Sequence, residues 1–117
     1  MKIIIAGSRC FNDYNLLKNK CDYLLSNTNK NTIEIVSGTC NGTDKLGEKY
    51  AKENNLKLTL FPADWNSFGK SAGYIRNEEM AKYSDALIVF WDGKSKGTNH
   101  MIDLAKKYSL IVKTILF

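Results

Sequence analysis

A chain of 117 residues with 44% hydrophobic and 25% charged residues and a single proline suits one globular domain, residues 1–117, with no length left for a separate substrate domain. No stretch reaches the ~18 apolar residues of a membrane span, and the apolar start is too short for a signal peptide, so a cytoplasmic location without a membrane partner is expected. The net charge of +5 rests on seventeen basic residues, fifteen of them scattered lysines; this argues against nucleic acid as a partner and leaves Arg9 and Arg76 as the planar, bidentate phosphate ligands.

Cysteine and histidine content excludes further classes. Cys10, Cys21 and Cys40 are odd in number and lack CxxC spacing, which speaks against a disulfide framework or a zinc site. His100 is the only histidine, so neither a histidine-rich metal centre nor a serine–histidine triad is expected. No metal and no cofactor is assigned. Abundant Lys, Asn and Ile fit an AT-rich coding genome, as in low-GC bacteria and their phages.

Residues 2–6 open the chain as a β-branched run continuous enough to be buried on both faces. The run ends in Gly7, Ser8 and Arg9, which supply a tight turn, a hydroxyl and a cation. Asp13 is the expected N-cap of a first helix, whose Leu17, Cys21, Leu24 and Leu25 share one face. A second strand over 32–37 leads into Ser37, Gly38, Thr39, Cys40, Asn41, Gly42, Thr43 and Asp44. Two glycines four apart before a helix start let backbone N–H groups approach an anion, where the helix dipole also favours negative charge. The spacing matches neither GxGxxG nor GxxxxGK[ST]. Thr43 is the expected cap of this second helix, which carries Leu46, Tyr50 and Ala51 on one side.

A third strand is expected over 56–61, followed by a connection that holds Trp65 and Phe68 among polar residues. Trp65, next to Asp64, offers a face either to stack on a base or to cover the core edge. A helix over about 70–82 places Arg76, Met80 and Tyr83 at i, i+4 and i+7. From there Arg76, with Gly73 before it and Asn77 beside it, can swing toward the glycine loops or pair with Glu79. The fourth strand, 85–91, ends in Trp91, Asp92, Gly93, Lys94, Ser95, Lys96, Gly97 and Thr98. Thr98 is the expected cap of a last helix bearing Met101, Ala105 and Tyr108, and 110–116 is the fifth strand.

Strand–helix alternation with short connections predicts an α/β fold: a single Rossmann-like doubly wound domain of five mostly parallel strands, order 3-2-1-4-5, with helices on both faces. Strands 1 and 4 are then central neighbours at the point where the winding reverses, and ligands in such sheets bind beyond the strand C-termini there. The loops at 7–12, 38–43 and 92–98 end neighbouring strands ~5 Å apart and so share one small mouth suited to phosphate and ribose.

Five co-linear motifs make the chain recognisable. Gly7-Ser8-Arg9, Ser37-Gly38 with Gly42-Thr43-Asp44, the run from Pro62 to Trp65, Gly73 with Arg76-Asn77 and Met80, and Trp91-Asp92-Gly93 with Ser95 and Gly97-Thr98 together resemble the YspA/YpsA-like branch of the SLOG superfamily. That superfamily also contains the lonely-guy phosphoribohydrolases and DprA-type Rossmann-like domains. The resemblance implies a Rossmann-like domain that binds nucleotides or nucleotide-derived molecules, often in bacterial conflict, stress or phage settings, and a homo-oligomer. The phosphoribohydrolase signature looks like Gly-Gly-x-Gly-Thr-x-x-Glu. Gly97-Thr98 matches its end, but the glutamate position is Met101, and His100 falls one residue short, about 100° away on the helix. A thioether cannot replace a carboxylate in glycosidic cleavage.

Two readings follow. In the first, the protein binds a nucleotide-derived small molecule, an ADP-ribose-like or cyclic nucleotide signal, to sense or sequester it. Its ligand residues are Gly7, Ser8, Arg9, Ser37, Gly38, Thr39, Gly42, Thr43 and Asp44 from the first two loops. Asp64, Trp65, Gly73, Arg76 and Asn77 join from the connecting segment, and Trp91, Asp92, Gly93, Ser95, Gly97 and Thr98 from the third loop. In the second, it is a phosphoribohydrolase or N-glycosidase acting on nucleoside 5′-monophosphates or NAD-derived compounds, with a carboxylate from Asp44, Asp64 or Asp92. No catalytic residue is assigned, and the missing glutamate leans the reading away from an enzyme.

Overall fold

The five strand stretches recognised by composition all pair into one sheet in a computed structural model that describes residues 1–117. In chain order the elements are β1 (Lys2–Gly7), α1 (Tyr14–Leu24), β2 (Glu34–Ser37), α2 (Thr43–Glu53) and β3 (Lys57–Leu60). There follow α3 (Trp65–Phe68), α4 (Ala72–Tyr83), β4 (Ala86–Trp91), α5 (Lys96–Lys107) and β5 (Ile111–Leu116), with 3-10 turns at Lys30–Thr32 and Gly69–Ser71. The order across the sheet is β3-β2-β1-β4-β5, every pair parallel, as expected.

Strand alternation divides the core in two. Ile3, Ile5, Ile35, Ile88 and Phe90 face α1 and α2, where Leu17, Cys21, Tyr50 and Ala51 close over them. Ile4, Ala6, Val36, Leu87 and Val89 face the other way, against Met80 and Ala81 of α4 and Met101, Ile102 and Ala105 of α5. Burying each large apolar side chain stabilises the fold by roughly 1.5–3 kcal/mol, and β1 and β4, covered on both faces, anchor both layers. No helix is long and apolar enough to cross a membrane.

Asp13 caps α1, its carboxylate accepting from the Leu16 N–H at 3.1 Å. The other two expected caps are corrected. Gly42 takes the cap of α2 with φ +78°, and a Cβ there would stand 2.4 Å from the Arg9 carbonyl oxygen. Thr43 is instead the first helical residue, and its buried hydroxyl donates to Ser8 O at 3.0 Å. Ser95 caps α5, with Thr98 one turn inside the helix. The helix expected over about 70–82 is preceded by a separate short helix, α3, because Asp64 accepts from Ser67 N–H and Gly69, at φ +55°, ends the turn.

Winding reverses between β1 and β4. The crossovers through α1 and α2 lie on one face of the sheet and those through α4 and α5 on the other. The loops after β1, β2 and β4 therefore meet at a switch point open to solvent.

Candidate functional site

Ser8 ties the three loops together. Its N–H continues the ladder to Phe90 O at 2.9 Å, its Oγ accepts from the Asp92 N–H at 3.1 Å, and its carbonyl accepts from the Thr43 hydroxyl. With 1% of its surface exposed, Ser8 acts here as a clamp between loops. Ser37 is equally enclosed: its hydroxyl donates to Glu48 Oε2 at 2.7 Å and accepts from the Thr39 N–H, which sets Thr39 at φ +66°.

Arg76 reaches across from α4 to the loop after β2. Its guanidinium donates to the Gly38 carbonyl, to Asn77 Oδ1 at 3.0 Å and to Cys40 Sγ at 3.5 Å. A Cβ at 38 would lie 2.9 Å from both Arg76 Nη1 and Asp44 Oδ2, so any side chain there requires these two groups to shift. Arg76 makes no ion pair; Glu79, its alternative partner one turn on, is not engaged. Arg9, exposed on the loop after β1, points a guanidinium nitrogen at the same sulfur at 3.9 Å.

Asp44 lies in the first turn of α2 with 5% of its surface exposed. Its Oδ2 accepts from the Cys40 N–H at 3.1 Å, the hydrogen bond its carboxylate takes from the protein. Burial raises its carboxyl to about 6, against the pull of the Cys40 N–H and of Arg76 and Arg9, and with a push from Glu48.

Two spaces meet at these residues. An inner cavity of about 90 Å³ lies between the end of β1, the start of α2, α4 and the first turn of α5. Of the residues expected at a ligand, Gly7, Arg9, Asp44, Arg76, Asn77, Ser95, Gly97 and Thr98 line it. An outer cleft of about 510 Å³ is bounded by Arg9, Gly38, Thr39 and Arg76, with Trp65 at its rim. Arg9, Cys40 and Arg76 border both, forming a collar between them. Trp65 is half exposed and rests against the bare Cα of Gly73, where a Cβ would meet its ring at 3.6 Å.

The third loop contributes less surface than structure. Asp92 Oδ1 accepts from the N–H groups of Ser95 and Lys94, both at 2.9 Å, and these bonds hold its carboxylate below the ordinary range. Trp91 donates from its indole to Ser95 O at 3.1 Å. Trp91, Asp92 and Gly93 thus shape the loop while bordering neither space, as is also true of Ser8, Ser37, Gly42, Thr43, Asp64 and Gly73. Asn77 bridges to Gly97 O at 3.4 Å and approaches His100 Nδ1, whose ring packs edge-on to Tyr74. Met101 stands in the wall of the inner cavity.

Sequence reasoning passed over Cys40, Asn41, Pro62, Ala63, Ala6 and Met80 as lining residues. Cys40 gave no signal because a lone thiol resembles a core residue until two arginines from distant segments converge on it.

Residues 1–68 match the model of the YspA, cpYpsA-related SLOG family. The Gene 61 protein of Mycobacterium phage D29 is 29% identical over 119 residues, covering 95% of this chain and 93% of that protein. Among solved structures, DNA processing protein A (DprA) of Streptococcus pneumoniae superposes with a TM-score of 0.79 at 18% identity over 99% of this chain and 50% of that one. The single-stranded-DNA-binding DprA of Helicobacter pylori superposes with a TM-score of 0.65 at 19% identity, over 97% of this chain and 64% of that one. The chain thus spans half to under two thirds of these solved proteins. The expectation that nucleic acid is an unlikely partner is corrected by the second of them: a protein of this fold binds single-stranded DNA. Scattered lysines do not by themselves exclude such binding, because base stacking on aromatic side chains carries part of its affinity.

Proposed function

The chain belongs to the YspA, cpYpsA-related SLOG family, and we propose that it holds a nucleotide-derived small molecule, ADP-ribose-like or a cyclic nucleotide, to sense or sequester it. The observation that carries this reading is Arg76: a guanidinium with 8% of the residue exposed, no carboxylate within ion-pair distance, and a place at the junction of cavity and cleft. A buried cation that makes no ion pair favours an anionic ligand. Arg76 and Arg9 take the phosphate, and Trp65 takes the base in the outer cleft. The full-length likeness to a phage protein accords with a phage setting.

Titration calorimetry of the whole protein with ADP-ribose, 5′-AMP and cyclic dinucleotides tests the reading. Arg76→Ala is expected to weaken binding by about tenfold or more; unchanged affinity removes the assignment. Chromatography of the ligand afterwards separates holding from cleavage, with intact recovery expected.

A second reading is favoured by Trp65 at the rim of the cationic cleft, with exposed Phe68 in the same helical turn: the same mouth takes one nucleotide of a single strand, a ring stacking on its base. This reading predicts oligonucleotide affinity that falls steeply with salt, whereas a single phosphate gives a shallow dependence.

A further inference from the structure

Asp44 is the group in the mouth that a phosphate-binding role does not explain. A carboxylate beside two arginines works against a phosphate when ionised, and an unpaired buried carboxyl carries a desolvation penalty. Neither Arg76 nor Arg9 neutralises it within ion-pair distance. Its Oδ2 is engaged by the Cys40 N–H, and its Oδ1, which accepts no hydrogen bond from the protein, belongs to a residue that lines the inner cavity. Such an oxygen asks for a hydroxyl donor from outside the protein.

The cavity has the size and lining of a sugar site. About 90 Å³ accommodates roughly six to nine waters at ~10–15 Å³ each, which is the bulk of one pentose ring and too little for a base with its sugar. Ala6, Met80 and Met101 offer an apolar surface to the ring carbons, while Asp44 on α2 and the Ser95 and Thr98 hydroxyls at the start of α5 line the same cavity. The Arg9, Cys40 and Arg76 collar opens from it into the cleft that holds Trp65.

Resting on the nucleotide-binding reading above, we propose that the inner cavity is a ribose recess in which Asp44 accepts the 2′,3′-diol, so that the site selects ribonucleotide-derived ligands over their 2′-deoxy counterparts. A carboxylate oxygen pair accepts two adjacent hydroxyls at once, and a deoxyribose leaves one of those bonds unmade. The phosphate sits at the arginine collar and the base leaves the recess toward Trp65. The charged groups that bear on Asp44 are Arg76 from α4, Arg9 from the loop after β1, and Glu48 one turn on along α2.

Calorimetry with 5′-AMP and 2′-deoxy-5′-AMP, on the wild type and on Asp44→Asn, tests this. The wild type is expected to bind AMP at least about tenfold more tightly, the effect of one hydrogen bond to a charged group. Asp44→Asn keeps an acceptor for the Cys40 N–H and is expected to shrink that preference to about twofold or less. Equal wild-type affinities for the two nucleotides, or a preference undiminished by Asp44→Asn, overturn the ribose recess and leave nucleotide binding standing. Failure of the wild type to bind AMP, ADP-ribose or a cyclic dinucleotide overturns both. Should Asp44→Asn not fold, the wild-type comparison alone decides.

Discussion

Arg76 and Gly38 are coupled: the guanidinium donates to the Gly38 carbonyl and occupies the space that a Cβ at residue 38 would need. An added methyl would stand 2.9 Å from Arg76 Nη1 and from Asp44 Oδ2 together. Gly38→Ala is therefore expected to displace the arginine, weakening nucleotide binding by about tenfold or more and costing about 1–3 kcal/mol of stability through overpacking. Urea unfolding and calorimetry on the same variant check both effects; native affinity in Gly38→Ala would refute the coupling.

Asp44 makes stability depend on pH in an unusual direction. Burial lifts its carboxyl to about 6, so the folded state holds the proton more tightly than the unfolded chain does. The resulting stabilisation is complete below the unfolded value of about 4 and is lost as pH rises through about 6. Asp44→Asn carries no such titration. The variant is expected to gain roughly 2–3 kcal/mol over the wild type above about pH 7 and almost nothing below about pH 4. Thermal or urea unfolding at the two pH values measures the difference, and a gain independent of pH contradicts the assignment.

Thr43 is fully buried and its hydroxyl bonds to Ser8 O. Thr43→Val preserves shape and removes the donor. The Ser8 carbonyl keeps the Phe11 N–H at 3.2 Å, so a loss of only about 1 kcal/mol is expected in urea unfolding. Hydrogen exchange at residues 8 and 43 should quicken at the same time. A stability loss well above that would mean that the hydroxyl holds more than this one loop contact.

Trp65 is 53% exposed. Trp65→Ala is expected to change stability by no more than about 0.5 kcal/mol while weakening nucleotide binding by about fivefold or more, the scale of one aromatic stacking contact. Ligand-induced fluorescence change should vanish in Trp65→Phe and persist in Trp91→Phe. A large stability loss in Trp65→Ala would instead show that the ring covers the core edge.

The strand runs at 2–6 and 85–91 were legible because an all-parallel sheet buries its central strands on both faces, so the apolar residues run without a break. Sheet order followed from alternation and the handedness of crossovers. The cap at Asp13 was legible because its partner, Leu16, is three residues away. Thr43 and Thr98 look the same in sequence but fail as caps. The hydroxyl of Thr43 is taken by Ser8, 35 residues away, and Gly42 carries the backbone turn. For Thr98, Ser95 begins the helix a turn earlier, with its loop held by Asp92.

Sequence by itself determined the strand and helix pattern, the parallel order β3-β2-β1-β4-β5 and the presence of glycine and hydroxyl loops at one edge, since local periodicity and chain handedness act within tens of residues. Tertiary structure alone decided which of those polar groups are engaged by the protein itself and which line the cavity. Ser8, Ser37 and Asp92 are held by hydrogen bonds to other parts of the protein, whereas Arg76, though bonded to Gly38, Asn77 and Cys40, makes no ion pair, and the Oδ1 of Asp44 accepts no hydrogen bond. That division depends on atoms 30 or more residues apart meeting within hydrogen-bond distance, as Arg76 does at Gly38 and Cys40, and no local pattern encodes it.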